Sequence, residues 1–159
     1  GYCKPVKTEQ EAIDFINDIG LGLLPEMKLS QLQLISGVST IAREGIYYPL
    51  HLNNTSTNGD KISINRHNLS IVRNGMILSS KEGTSKLLGK YNYKVAAKTG
   101  TATNDNINNG KNHGWCVGYI PYNKPKIAFS VMIENGTGYS DAVPYTLKTL
   151  NLCKEFGYF

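Results

Sequence analysis

Val95-Ala96-Ala97-Lys98-Thr99-Gly100-Thr101-Ala102 is the stretch on which the reading of this chain turns. The apolar run Val95-Ala96-Ala97 reads as a strand that delivers a lysine, two hydroxyls and a glycine to its end. Beyond it, Thr103 to Asn112 is polar and rich in asparagine, as a loop would be. Such a set makes a compact site for an anionic peptide end. Lys98 supplies fixed positive charge, Thr99 and Thr101 can hydrogen-bond a carboxylate, and Gly100 removes a side chain where a substrate backbone must lie close. Taken alone, Lys98-Thr99-Gly100 is also what an ordinary strand end and turn look like, because short motifs often match by chance. The flanking sequence decides between the two.

Downstream, the pattern is of strands. Tyr93 to Thr99 reads as the first, Trp115 to Ile120 as the second, and Lys126 to Glu134 as the third. In the third, Ile127, Phe129, Val131 and Ile133 alternate with Ala128, Ser130 and Met132, which predicts one buried face. Pro121 to Pro125 is short enough to join the last two as an antiparallel hairpin. Asn135-Gly136-Thr137-Gly138 closes the strand region. Ser140 or Asp141 is then expected to cap a last helix, with Pro144 in its first turn and Leu147, Leu150 and Phe156 facing inward.

Upstream, the pattern is of helices. Thr8-Glu9-Gln10-Glu11 is a capping box followed by Ala12, Ile13, Ile16 and Ile19, and Gly20 and Gly22 end that helix. Ser30-Gln31-Leu32-Gln33 is a second box. Ile35, Val38, Ile41 and Ala42 then form an apolar stripe that predicts the most buried helix, stopped by Gly45 with Pro49 beyond. Asn53 to Lys61 reads as a loop or hairpin tip. Asn65 or Asn68 can cap a helix carrying Leu69, Val72, Met76 and Ile77, although Gly75 costs it about 1 kcal/mol relative to alanine. Gly83-Thr84-Ser85 breaks the chain before Leu87-Leu88. With no repeat and no linker, residues 1–159 read as part of one α+β domain: helical over about 1–90, strands and a last helix over about 91–159.

The bulk properties narrow the function classes. At 159 residues, 40% hydrophobic and 18% charged, the chain has material for a core and is unlike a disordered segment. The net charge of +5 is spread without a run of four basic residues, so no nucleic-acid partner is expected. A solvated basic surface, or a basic cleft drawing in an anionic substrate, accounts for it. No apolar run nears the roughly 20 residues of a membrane span, and no signal peptide is present, so any address of a longer parent is expected upstream of Gly1. Cys3, Cys116 and Cys153 lack disulfide or zinc spacing; Cys116 and Cys153 read as buried thiols. His51, His67 and His113 show no ligand spacing, so no metal is expected. Asp105 to Cys116 resembles a calcium loop only faintly, with Ile107 at a ligand position and Cys116 in place of the closing glutamate. Gly110-Lys111 fails the phosphate-loop pattern because Asn112 follows and no glycine occupies position 105.

Val95 to Ala102 resembles the K-T-G element of the penicillin-recognising serine acyltransferases, and specifically of class B penicillin-binding proteins. His113-Gly114-Trp115-Cys116-Val117-Gly118-Tyr119-Ile120-Pro121, Pro125-Lys126-Ile127-Ala128 and Glu134-Asn135-Gly136 are similar to that family's next two strands. Gly20-Leu21-Gly22 with Leu29-Ser30-Gln31-Leu32-Gln33-Leu34 resembles its glycine turn and helix start, with Ser30-Gln31 in place of Thr-Pro. Asn74-Gly75-Met76 and Gly83-Thr84 resemble the segment before the K-T-G strand. The likeness runs from about Gly20 to Gly138.

The resemblance implies a twisted antiparallel sheet with helices on both faces, present here as its C-terminal portion. It implies D,D-transpeptidation of peptidoglycan stem peptides ending in D-Ala-D-Ala, inhibition by β-lactams, and no cofactor. Lys98 would sit in the proton network of the nucleophilic serine. Thr99, Gly100, Thr101 and Ala102 would line the substrate and β-lactam site, with Thr99 and Thr101 binding the carboxylate. The backbone N–H of Thr101 would be an oxyanion donor, a contribution of about 3–4 kcal/mol in comparable enzymes. Trp115 would pack under the K-T-G strand as core, or else line the substrate groove.

The family's nucleophile needs Ser-x-x-Lys, and no Ser or Thr of this chain has Lys three residues later. Ser63-Ile64-Asn65 has the family's Ser-x-Asn form but lies after the glycine turn instead of before it, so it reads as coincidence. The chain is therefore expected to be inactive alone, and either poorly stable or associated with itself or with the N-terminal part of its own domain. The intact protein is expected to work at the periplasmic face of a bacterial inner membrane with elongation or division proteins. A class D β-lactamase or β-lactam sensor, and a non-catalytic cell-wall scaffold, are the alternatives. Pro121, Pro125-Lys126 and Leu32-Gln33-Leu34 favour the class B assignment.

Overall fold

The computed structural model describes residues 8–11, 13, 29–53, 58–90, 93–103 and 111–159. The chain divides into two units, Gly1–Ser30 and Gln31–Phe159. In the first, residues 9–11 and 13 are helical, and the Glu11 N–H donates to Thr8 Oγ1 at 3.2 Å, the cap expected there. The rest of that helix and the Gly20-Leu21-Gly22 turn lie outside the described residues.

The second unit runs α1 (Gln31–Ala42), β1 (Ile46–Tyr47), β2 (Asp60–Lys61), α2 (Arg66–Lys81), α3 (Lys86–Gly89), β3 (Ala96–Thr103), β4 (Asn112–Ile120), β5 (Ile127–Ile133) and α4 (Val143–Glu155). The strands β3, β4 and β5 form one antiparallel sheet in that order, and β1 pairs with β2 apart from it. The sheet is covered on both faces. Ala97, Cys116, Ile120 and Phe129 pack against Leu88 of α3 and Val143, Leu147 and Leu150 of α4. On the other side, Ala96 and Tyr119 pack against Val38 and Ala42 of α1 and Met76 of α2. The expected α+β architecture is therefore present.

The strand limits differ from expectation in one instructive way. β3 starts at Ala96, three residues after Tyr93, because Lys94 has a positive φ of 53° that interrupts the extended run. It then continues through Lys98-Thr99-Gly100 to Thr103, while β4 begins at Asn112 instead of Trp115. The register explains both extensions, since Ala96 opposes Tyr119 and the pairing holds as far as Thr103 opposite Asn112. Each polar strand end is held by the other. β5 does not have a single buried face: Ile127, Phe129 and Ile133 meet the α4 side while Ala128 meets the α1 side, and only Phe129 is fully buried.

Caps and stripes are corrected likewise. α1 is not the most buried helix among those described; it buries Val38, Thr40 and Ala42, whereas α4 buries Val143, Thr146, Leu147 and Leu150. The α1 residues packed in the sheet's core, Val38, Ile41 and Ala42, lie in its C-terminal half. At its end, Glu44 takes the left-handed position (φ 58°), with the Glu44 N–H donating to Ile41 O and the Gly45 N–H to Thr40 O. This is the Schellman arrangement, with Gly45 one place beyond the turn residue. Asn65 caps α2, accepting from the N–H groups of His67 and Asn68. The buried stripe of α2 is Leu69, Met76 and Ser80, and Val72 falls outside it. The last helix is preceded by a π-helical turn, Gly138–Ala142, whose cap is Thr137; α4 itself follows Ala142 without a side-chain cap, so neither Ser140 nor Asp141 caps it. Phe156 stands just past α4 and is 77% exposed, not inward.

Candidate functional site

The edge position of β3 organises the site. Among the described residues β3 has a strand neighbour on one side only, so the Lys98–Ala102 backbone is open on the other. Strand alternation puts Lys98, Gly100 and Ala102 on one face and Thr99 and Thr101 on the other. Lys98, Thr101 and Ala102 are exposed, and the Lys98 ammonium donates to the carbonyl oxygen of Thr99. Thr99 is only 8% exposed, and its Oγ1 lies 2.6 Å from Thr84 Oγ1. The five residues read from the sequence are thus contiguous, but the two threonine side chains are held differently.

Gly100 is not demanded by the chain's own packing. A Cβ there would meet only Trp115 Cβ, at 3.6 Å, an ordinary contact. The crowded glycines lie around it. A Cβ on Gly138 would come within 2.6 Å of Gly100 O, one on Gly114 within 2.2 Å of Thr137 O, and one on Gly118 within 2.2 Å of Ala96 O. The first two close approaches let Asn135-Gly136-Thr137-Gly138 press onto the K-T-G strand and its partner β4. The Gly138 N–H donates to Thr101 Oγ1 at 3.1 Å, and the Gly136 N–H to Asn112 O at 3.0 Å. Asp141 reaches back to accept from the Thr137 N–H at 2.7 Å and from its hydroxyl at 3.1 Å. The segment read only as the close of the strand region is a clasp that orients Thr101. Its signal was present in the Gly-Thr-Gly spacing, but nothing local says what the glycines must touch.

A second support comes from the α2–α3 turn. The Gly83 N–H donates to Leu78 O and Ser79 O, and the Ser85 N–H to Ser79 O. The buried Ser85 hydroxyl lies 2.7 Å from Ser79 Oγ and 3.4 Å from Ser80 Oγ. This network sets Thr84 against Thr99.

The remaining candidates do not join the site. Trp115 is half-buried opposite Gly100 and Met132, between its two expected placements. Cys116 is fully buried, and burial pushes its thiol up to about 11, with a hydrogen bond to Thr146 opposing; it is a neutral core group, not a nucleophile. Cys153 is half-buried. Asn65 spends its side-chain oxygen capping α2, accepting from the N–H groups of His67 and Asn68, so in Ser63-Ile64-Asn65 the asparagine serves its own helix. Among the described residues no group of three metal-ligating side chains occurs, and no helix is long and apolar enough to cross a membrane. Residues 104–110, including the first half of the calcium-like stretch, lie outside the described residues. A cleft of about 380 Å³ is lined by Glu44, Arg66, Arg73, Asn74 and Tyr122 and contains none of the motif. There Arg73 bonds Glu44 Oε1 at 2.6 Å, Tyr119 Oη at 3.4 Å and Tyr122 O at 3.4 Å.

Comparison with known proteins bears on this arrangement directly. Residues 6–150 match the penicillin binding protein transpeptidase domain. Peptidoglycan D,D-transpeptidase MrdA of Haemophilus influenzae is 33% identical over 89 residues, 47% of this chain and 14% of that protein. Penicillin-binding protein H of Bacillus subtilis is 36% identical over 85 residues, 48% of this chain and 12% of that protein. Among solved structures, Helicobacter pylori PBP2, in complex with MreC, aligns with a TM-score of 0.71 at 27% identity, covering 91% of this chain and 28% of that one. Pseudomonas aeruginosa PBP2, in complex with WCK 5153, gives 0.67 at 25% identity, covering 84% and 31%. The chain thus spans a small part of these relatives' length. With the match covering residues 6–150 and the motif strand at the sheet edge, the chain belongs to the penicillin binding protein transpeptidase domain family.

Proposed function

We propose that this chain supplies the substrate-recognition strand of a serine-type peptidoglycan D,D-transpeptidase. The observation that carries this is the exposed Lys98 beside Gly100, a glycine that the chain's own packing leaves room to substitute. A small residue kept where nothing internal crowds it fits a backbone lying close from outside. In this reading Lys98 balances the negative charge of a D-Ala-D-Ala or β-lactam carboxylate and of the serine's proton network. Thr99 and Thr101 hydrogen-bond the carboxylate, and the Thr101 N–H stabilises the developing oxyanion.

The reaction is acyl transfer. A serine oxygen attacks the carbonyl of the penultimate D-Ala, the terminal D-Ala leaves with a proton, and a neighbouring stem peptide's amine then displaces the serine. Since no Ser-x-x-Lys occurs in the 159 residues, the serine comes from another stretch of polypeptide. The intact enzyme would act outside the cytoplasm, held at the bacterial inner membrane, and work with cell-wall elongation or division proteins. The Helicobacter PBP2 solved with MreC supports a partner of that kind.

Intact mass after incubation with a labelled penicillin tests the reading. The chain alone should carry no adduct. A polypeptide bearing Ser-x-x-Lys, co-expressed with it, should gain one that disappears with Lys98→Ala. A stoichiometric adduct on this chain, or none on either, overturns it.

A further inference from the structure

Thr84 lies outside the motif, yet its hydroxyl stands 2.6 Å from that of Thr99. We propose that Thr84 is a positioning residue, which holds Thr99 Oγ1 so that its one proton points toward a peptide carboxylate. This rests on the reading of Lys98 to Thr101 as a carboxylate site.

A threonine hydroxyl has one proton and two lone pairs. Thr99 is 8% exposed, so its hydroxyl needs a partner within the protein, and Thr84 is that partner. The pair has two proton arrangements. If Thr99 donates to Thr84, its proton is spent and only lone pairs face an incoming carboxylate. If Thr84 donates to Thr99, the Thr99 proton is free for the carboxylate, and the two hydroxyls polarise each other in series. A bound carboxylate selects the second arrangement. Thr84 is itself exposed, so its own lone pairs stay hydrated in that arrangement.

Thr84 is also held in place. Gly83 and Ser85, on either side, both donate to the end of α2, and Ser85 is fully buried with its hydroxyl on Ser79. A Cβ on Gly83 would come within 2.9 Å of Ser79 Cα, so the turn lies hard against the helix. The run Ser79-Ser80…Gly83-Thr84-Ser85 thereby aims one hydroxyl at the K-T-G strand. A purely structural Thr84 would satisfy Thr99 with the proton in either direction. A positioning Thr84 matters only to the ligand that needs the Thr99 proton.

The test titrates N-acetyl-D-Ala-D-Ala, and separately its C-terminal amide, into the full ¹⁵N-labelled chain. The amides of Lys98 to Ala102 are followed, with thermal unfolding in parallel. Thr84→Val removes the hydroxyl at nearly constant shape, and Thr84→Ser keeps it. Losing one neutral hydrogen bond should weaken the acid's binding about fivefold in Thr84→Val. Binding of the amide should hardly change, and Thr84→Ser should behave as the parent chain. Equal acid binding in Thr84→Val and the parent overturns the inference. So does an equal loss in Thr84→Ser, or a parallel loss for acid and amide. If Lys98→Met abolishes acid binding while Thr84→Val does not touch it, the carboxylate site stands and the role of Thr84 falls. If the parent chain shows no shifts at Lys98 to Ala102, the carboxylate reading fails and takes the inference with it.

Discussion

The Gly138 amide donates to the Thr101 hydroxyl at 3.1 Å, joining the turn before the last helix to the strand that carries Lys98. These residues are 37 positions apart in the chain, and they meet because β5 ends level with Thr101 through Gly114, and the turn that follows crosses β4 at Gly114 to reach β3. Gly138 also lies against the Gly100 backbone, so a side chain on Gly138 would not fit. Gly138→Ala should therefore destabilise the fold by about 1–3 kcal/mol, the usual range for overpacking. Urea unfolding checks this, and a midpoint equal to the parent's would refute the clasp.

Gly100→Ala should behave in the opposite way. Its Cβ finds a 3.6 Å contact and no collision, so the unfolding midpoint should stay close to that of the parent. Penicillin acylation of the assembled domain should nonetheless fall, because the new methyl stands where a ligand backbone would lie. A variant that loses stability and acylation together would mean that Gly100 serves packing.

Gly75→Ala should stabilise the chain by about 0.5–1 kcal/mol, the usual helix-interior difference between the two residues. Gly75 lies in the middle of α2, and a Cβ there meets nothing within 4 Å. The change is read by chemical denaturation with an unchanged slope.

Arg73 joins the α1 exit turn, β4 and the β4–β5 turn through Glu44, Tyr119 and Tyr122. Burial works against its charge, but the hydrogen bonds to Tyr119 and Glu44 outweigh this and raise its pKa. Arg73→Met should cost about 1–3 kcal/mol, since hydrogen bonds to a charged group are lost. Glu44→Gln should cost under about 1 kcal/mol, because Glu44 is mostly exposed and the pair is screened. A double-mutant cycle measured at low and high salt separates the ion pair from the other two bonds.

Cys116 makes stability depend on pH in the alkaline range. Its thiol pKa rises from 9.0 unfolded to about 11 folded, chiefly through burial. Below about 9 both states hold the proton and stability is flat. Between about 9 and 11 the unfolded state loses it first, so stability falls by about 1.4 kcal/mol per pH unit. The difference between the parent and Cys116→Ala unfolding curves isolates this from lysine and tyrosine titration. A difference that is level from pH 8 to 11 would contradict it.

Much of the architecture could be read in the chain itself, because the signals are local. Thr8 and Asn65 cap helices through their own side chains, and Pro121 to Pro125 makes a hairpin within its own length. The apolar cores of β4 and β5 announce themselves, and Lys98-Thr99-Gly100 with its ordered flanks pointed to the family. What misled were the polar margins. Thr101 to Thr103 and Asn112 to Gly114 look like loop, and they are strand only because each is the other's partner. Phe156 and Val72 look like core and are exposed, because apolar character says nothing about which neighbour arrives.

Sequence alone therefore determined most element types, the motif and the absence of Ser-x-x-Lys, since each follows from residue identity and short spacing. The tertiary structure alone decided how the site is supported. Thr84 reaches Thr99 across 15 residues and Gly138 reaches Thr101 across 37, and neither spacing is helical or strand-like. Contacts of that kind arise from the packing of whole elements, which fixes the two hydroxyls of the motif once the sheet and its flanking turns have closed together.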